Sequence, residues 1–181
     1  MLKALLVASS TLVLILQSSA LAENWPNKSV RVIIPFSAGG AVDVIARTVF
    51  DKVSAQLGEP FVIENRVGAG GTIGAAAAAK STPDGYTILV HSSSHTVAPA
   101  LYSKLSYDAV GDFVAVTPLA NLPTVLFVAS AKGYKSIDEF VAAAKAKAGA
   151  MNYGSGGVGN ATHLNAEADD FSCNFSTPVG R

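Results

Sequence analysis

Residues Val30–Ile34 read Val-Arg-Val-Ile-Ile and run straight into Pro35-Phe36-Ser37-Ala38-Gly39-Gly40, after which a helical pattern opens near Asp43. A β-branched run of this kind, interrupted only by Arg31, predicts a strand buried on both faces, the habit of a parallel sheet. Parallel strands need a crossover connection. Apolar Val44, Ile45, Val49, Val53 and Leu57 at helical spacing supply it, and Gly58 is a good stop. A strand, a tight Gly-Gly loop and a helix start aim backbone N–H groups and the positive end of a helix at one point. That arrangement suits an anion.

The unit recurs. Residues 61–64 predict a second strand, followed by a second glycine loop, Gly68-Ala69-Gly70-Gly71, and by an Ala-rich helix to Lys80 that Thr72 can cap. Pro83-Asp84-Gly85 is a turn into a third strand over 86–90. Strands alternating with helices imply an α/β chain with a doubly wound parallel sheet. After Ser92-Ser93-Ser94 the pattern changes. A short helix is expected over 97–102 and strands over 113–119 and 124–129. The capping box Ser136-Ile137-Asp138-Glu139 opens a helix to about Lys147. A short strand over 151–153 leads into a third glycine loop, Gly154-Ser155-Gly156-Gly157-Val158-Gly159, with a helix expected from Thr162. From 168 to 181 neither helical periodicity nor strand alternation is left. The chain thus divides into residues 1–22, a first α/β lobe over 23–104, part of a second over 105–167, and an aberrant tail over 168–181.

Residues 1–22 have the pattern of an export signal. Lys3 is the positive n-region, 4–16 is an apolar run interrupted by Ser9, Ser10 and Thr11, and Ala20-Leu21-Ala22 fits a small-x-small cleavage site. The apolar run is too short to span a bilayer comfortably. A soluble, exported chain starting at Glu23 is expected. The 181 residues carry 13 basic and 13 acidic side chains, so there is no basic stripe for nucleic acid. One cysteine, Cys173, cannot form an internal disulfide. His91, His95 and His163 lack metal-ligand spacing, so no metal is expected.

The glycine loops allow several chemistries. Gly154-x-Gly156-x-x-Gly159 matches the dinucleotide fingerprint literally, but the acidic ribose ligand belongs about twenty residues on, where the chain is ending. No loop ends in the Gly-Lys-Ser/Thr of a P-loop. A hydrolase would want a Gly-x-Ser-x-Gly elbow, and Tyr153 stands two residues before Ser155. No catalytic residue and no cofactor is expected. Ser92 to Ser94 read equally as ordinary loop polarity or as hydroxyls lining a polar ligand. Asp43 complements the macrodipole in the first helical turn, while its backbone N–H would join those of Gly39 and Gly40 as donors. Arg47 reads as a solvated helix-face charge.

Several motifs occur together in one order: Trp25-Pro26; Val32 to Gly40 with Asp43 and Ala46-Arg47; Glu64-Asn65-Arg66 with Gly68 to Gly71; and Pro83-Asp84-Gly85-Tyr86-Thr87. Pro99-Ala100-Leu101-Tyr102, Leu105, Tyr107-Asp108 and Asp112-Phe113 follow. In these the chain closely resembles the Bordetella uptake gene (Bug) family, the periplasmic solute-binding receptors of tripartite tricarboxylate transporters, from about Trp25 to Glu167. The resemblance implies a two-lobed, type II periplasmic binding protein fold holding a small carboxylate in its cleft. It implies ligand contacts from Phe36, Ser37, Ala38, Gly39, Gly40 and Asp43, with Ser92 and Ser93 on the cleft wall. Ser155, Gly156, Gly157, Gly159 and Thr162 would contribute from the opposite lobe. It also implies a monomeric, non-enzymatic receptor that delivers its ligand to two membrane permease subunits. Family chains are nearly twice as long, so the second lobe is expected to be incomplete, the tail from about Ala168 to be out of register with the family through a frameshift or premature stop, and ligand binding to be weak or absent.

Overall fold

A computed structural model describes residues 24–147, 150–156 and 159–168. The expected leader, Gly157, Cys173 and the tail beyond 168 lie outside the described residues. The described elements are strands β1 (Val30–Ile34), β2 (Phe61–Asn65) and β3 (Thr87–Leu89), with helices α1 (Ala41–Leu57), α2 (Thr72–Ala79), α3 (Ser94–Leu101), α4 (Ile137–Ala146) and α5 (Ala161–Ala168).

The three strands form one parallel sheet in the order β2-β1-β3. β1 is central, and Val30, Val32, Ile33 and Ile34 are fully buried. The side-chain alternation of a strand distributes its residues between the two helix layers. Val32 and Ile34 pack with Val90 against Ala46 and Phe50 of α1. The Phe50 ring stacks on Phe61 of β2 at 5.4 Å. The opposite layer gathers around Ala75 of α2, with Leu89 of β3 and with Leu105, Tyr107, Ala109 and Phe113. These four residues come after the lobe boundary expected near 105, and they pack on α2. Helices on both faces make the sheet doubly wound, as the alternating pattern predicts.

Local signals account for the helix ends. Gly58 takes the left-handed conformation after α1, and its N–H closes on the Ser54 carbonyl at 2.9 Å. Ser136 caps α4 by accepting the Glu139 N–H, and the Glu139 carboxylate accepts the Lys135 N–H in return. Thr72 does not cap α2. It is the first helical residue, its hydroxyl donates to the Ala69 carbonyl, and left-handed Gly71 holds the cap position. α5 is likewise capped earlier than expected, by Asn160, whose side-chain oxygen accepts the His163 N–H at 3.0 Å.

The strands expected over 113–119, 124–129 and 151–153 are not formed. A strand needs a neighbour to satisfy its N–H and C=O groups, and among the described residues none pairs with these segments. Val114, Val116 and Phe127 are 91%, 85% and 88% exposed, so side chains patterned for burial face outward.

Glycine in the second loop is a packing requirement. A Cβ on Gly74 would lie 2.7 Å from the Pro35 side chain and 2.9 Å from the Arg66 carbonyl oxygen, neither of which can swing away. Gly58, by contrast, needs only its positive φ of 77° and has open space around it. Gly74→Ala is therefore expected to cost about 2–3 kcal/mol through overpacking, against about 1 kcal/mol for Gly58→Ala. Urea unfolding of the two variants checks the order.

Candidate functional site

The loop after β1 is shaped by a buried carboxylate. Asp43, in the first turn of α1, is 1% exposed and accepts four hydrogen bonds. The Gly39 N–H donates to Oδ2 at 2.8 Å and the Arg47 Nε–H to the same oxygen at 2.9 Å. Arg47 Nη2 and Asn65 Nδ2 donate to Oδ1 at 3.1 and 2.8 Å. The Arg47 guanidinium is the main reason that the Asp43 carboxyl is held well below its ordinary range, with Asn65 and the Gly39 N–H adding to it against the opposing effect of burial. Gly39 adopts φ +77°, which lets the chain double back toward the carboxylate.

One expectation is corrected here and another refined. The Gly39 N–H is spent on Asp43, and the Gly40 N–H closes a turn on the Ser37 carbonyl at 3.1 Å. They shape the loop and are not free donors. Arg47 is exposed on the helix face as expected, but it is not a free charge: Nε and Nη2 are held by Asp43, and Nη2 also donates to Asn65 Oδ1 at 3.1 Å. The backbone donors left without a partner belong to the start of α1. Gly40 has no side chain to cap that helix, and the first intrahelical bond of its amides is Val44 N–H to the Gly40 carbonyl at 2.9 Å. The N–H groups of Ala41, Val42 and Asp43 are thus the orphan donors that a helix start leaves. Ser37, Ala38 and Gly39 are exposed, and Phe36 is half-buried.

The third strand delivers His91 to the same place. Its ring meets Phe36 edge-on at 5.2 Å and lies against Gly71, where an added Cβ would come within 2.6 Å of Nε2. Nδ1 lies 2.9 Å from the Ser92 amide nitrogen and 3.2 Å from the Ser92 carbonyl oxygen, so the ring is held against its own strand end. Burial, with the neighbouring His95 ring at 5.0 Å, lowers the His91 pKa from its ordinary 6.5 to about 4. His95 continues the ring stack to Tyr107 and Phe113 and bonds the Ala109 carbonyl through Nε2 at 2.9 Å. The two histidines are packing groups beneath the loops. Ser94 is buried and shares a 2.8 Å hydroxyl contact with Ser92, whereas Ser93 is exposed at the start of α3.

The third glycine loop meets the other end of α3. A Cβ on Gly159 would touch Leu101 at 3.2 Å and the Tyr102 hydroxyl at 3.5 Å. With eight residues, α3 spans about 12 Å, which separates this loop from Ser92 to Ser94. The Gly156 N–H donates to Thr162 Oγ1 at 3.0 Å, and that hydroxyl donates to Asn160 Oδ1 at 2.7 Å. Ser155 is exposed beside them. The described residues contain no group of three His, Cys, Asp or Glu arranged to hold a metal. They contain no helix long and apolar enough to cross a membrane. A second place rich in cations, an open groove of about 490 Å³, is lined by Arg31, Arg66, Lys80, Ser81 and Thr87 on the α2 face of the sheet. Arg31 and Arg66 share Glu64 there, and Arg31 also donates to Ser81 at 2.7 Å.

Residues 45–175 match the model of the tripartite tricarboxylate transporter family receptor. The chain belongs to this family. The match begins inside α1 and ends within the segment set apart from 168 on. BugT of Bordetella pertussis is 36% identical over 148 residues, which is 81% of this chain and 45% of that protein. The chain spans about half the length of the curated relatives it matches. Among solved structures, an R. palustris protein with adipate has a TM-score of 0.80 at 29% identity, over 86% of this chain and 53% of that one. MatC of Rhodopseudomonas palustris, with bound malate, has a TM-score of 0.75 at 28% identity, over 86% and 54%. The family and the α/β periplasmic binding protein fold expected from the sequence are thereby borne out, with only part of the neighbours' architecture represented.

The His91 environment has a pH signature. The folded chain keeps His91 neutral down to about pH 4, while the unfolded chain takes up a proton below about 6.5. Its stabilisation is complete above that upper value and is lost as pH falls between the two, by up to roughly 3 kcal/mol. Urea unfolding across this window is expected to show the decline, and His91→Phe to flatten it.

Proposed function

We propose that this chain provides one wall of a periplasmic receptor for a small carboxylate, held chiefly by the backbone amides at the start of α1. The observation that carries the reading is the row of uncapped Ala41, Val42 and Asp43 N–H groups directly behind the loop, where the nearby basic side chain of α1, Arg47, is already committed to Asp43. An anion there meets N–H dipoles and the positive helix end without a competing ion pair. Charge-assisted bonds to backbone amides are strong where water is excluded. The planar, singly charged carboxylate suits such a donor row without the Lys that a P-loop adds for phosphate. Relatives solved with adipate and malate support a di- or tricarboxylate.

Phe36, Ser37, Ala38, Gly39 and Gly40 form the near rim in this reading, and Ser92 and Ser93 the flank. Ser155, Gly156, Gly159 and Thr162 approach from beyond α3 in this reading, which also assigns a contact to Gly157, outside the described residues. The reading is of a monomeric, non-enzymatic receptor, exported by its leader and serving the membrane subunits of a tripartite transporter, with no nucleic acid, cofactor or metal. Because the chain spans about half of its curated relatives, the wall alone is expected to bind in the millimolar range, about 4 kcal/mol.

Ala41→Pro isolates the claim. Proline is favoured at the first helical position, and extended Gly40 tolerates a following proline. The change deletes one N–H donor while the helix start stays intact. Malate and adipate are expected to shift the amide resonances of residues 41–43 in the unmodified chain. Ala41→Pro is expected to weaken that response about tenfold, or about 1.4 kcal/mol, with an unchanged unfolding midpoint. Equal binding by the variant would overturn the reading.

A further inference from the structure

We propose that Asn65 is the positioning residue of the carboxylate loop and that its neutrality sets the sign of the potential there; the ligand half of this proposal rests on the reading above. The register of β2 against β1 pairs Asn65 with Ile34, the last strand residue before the loop. From that position its amide uses both ends. Nδ2 donates to the Phe36 carbonyl at 3.0 Å and to Asp43 Oδ1 at 2.8 Å, and Oδ1 accepts from Arg47 Nη2 at 3.1 Å. One side chain therefore joins the loop, the buried acid and its cation to the sheet.

The chemistry of the position is narrow. Two acceptors face one end of the side chain and a cation faces the other, a demand that an amide meets and that neither a carboxylate nor a hydrocarbon does. The charge balance is equally specific. Asp43 and Arg47 cancel, so the cluster beneath the orphan N–H groups is neutral only while residue 65 is neutral. A carboxylate at 65 would lie hydrogen-bond distance from Asp43, and such a pair holds on to a proton. It would also oppose an incoming anion. A leucine would remove the bonds and leave the charge balance untouched. The two substitutions thus separate position from potential.

Three samples test this: the unmodified chain, Asn65→Asp and Asn65→Leu. Hydrogen exchange of the Gly39 amide reads the loop without any ligand, against the Val30 and Arg31 amides, which bond the Pro60 and Tyr86 carbonyls at 2.9 Å and report the sheet. Both variants are expected to speed Gly39 exchange at least tenfold relative to those two. As pH falls from 8 to about 5, Asn65→Asp is expected to regain protection as the new carboxyl protonates, whereas Asn65→Leu stays unprotected. In malate titrations near neutral pH, Asn65→Asp should bind more weakly than Asn65→Leu, and added salt should narrow the gap. Unchanged Gly39 exchange in Asn65→Leu, or a pH-independent Asn65→Asp, would overturn the assignment. If a variant opens the sheet amides as well, the pH dependence of the other decides. A chain that binds neither malate nor adipate would defeat the functional reading while the exchange data still judged Asn65.

Discussion

One buried carboxylate holds together the loop at the C-terminal end of the central strand. Asp43 sits in the first turn of α1 with almost no exposure and is compensated by a backbone N–H, an amide and a guanidinium. Taking a carboxylate out of water is costly unless its lone pairs are met. Here every partner that meets them also fixes something else: Gly39 fixes the loop, Arg47 the helix face, and Asn65 the adjacent strand. Losing one partner would leave a buried charge short of bonds, so the loop has a single low-energy shape.

That shape matters because of where the sheet puts it. β1 is the central strand and the most completely buried element, so its C-terminal end is a rigid mount. The loop leaves it, the neighbouring strand ends supply Asn65 on one side and His91 on the other, and α1 begins directly behind. Ligand sites of open parallel sheets gather at these strand ends. With the glycine amides consumed internally, the N–H groups of the first helical turn are the donors left at the loop. The cation that an anion would otherwise seek is already neutralised.

Much of this was legible in sequence where the signal was local. The β-branched run of β1, the extent of α1, Gly58 and the Ser136 capping box each act within a few residues, and each appears in the structure as read; the inward face of α1 does not, because Asp43, Ala46 and Phe50 are its buried residues while Val44 and Leu57 are exposed. Signals that depend on distant partners were not legible. The segments 113–119 and 124–129 have strand composition, but a strand is completed by its neighbour, and among the described residues none pairs with them. Asn65 lay inside a motif that was noticed, yet its role depends on the β2 register, which composition does not reveal. The Gly39 N–H goes to the Asp43 carboxylate and the Gly40 N–H to the Ser37 carbonyl, partners that the sequence does not assign. The i to i+4 spacing of Asp43 and Arg47 was the signal that could have exposed that clamp.

The central claim is that backbone amides of the α1 start, and not cationic side chains, receive the carboxylate. A crystal structure of the chain grown with malate tests it most directly. The account predicts a carboxylate within hydrogen-bond distance of the Ala41, Val42 or Asp43 N–H groups, with the Asp43 to Arg47 and Asp43 to Asn65 bonds intact. A carboxylate seated instead on Arg31, Arg66 or Lys80 in the groove across the sheet, or Arg47 released from Asp43 to grip it, would contradict the account.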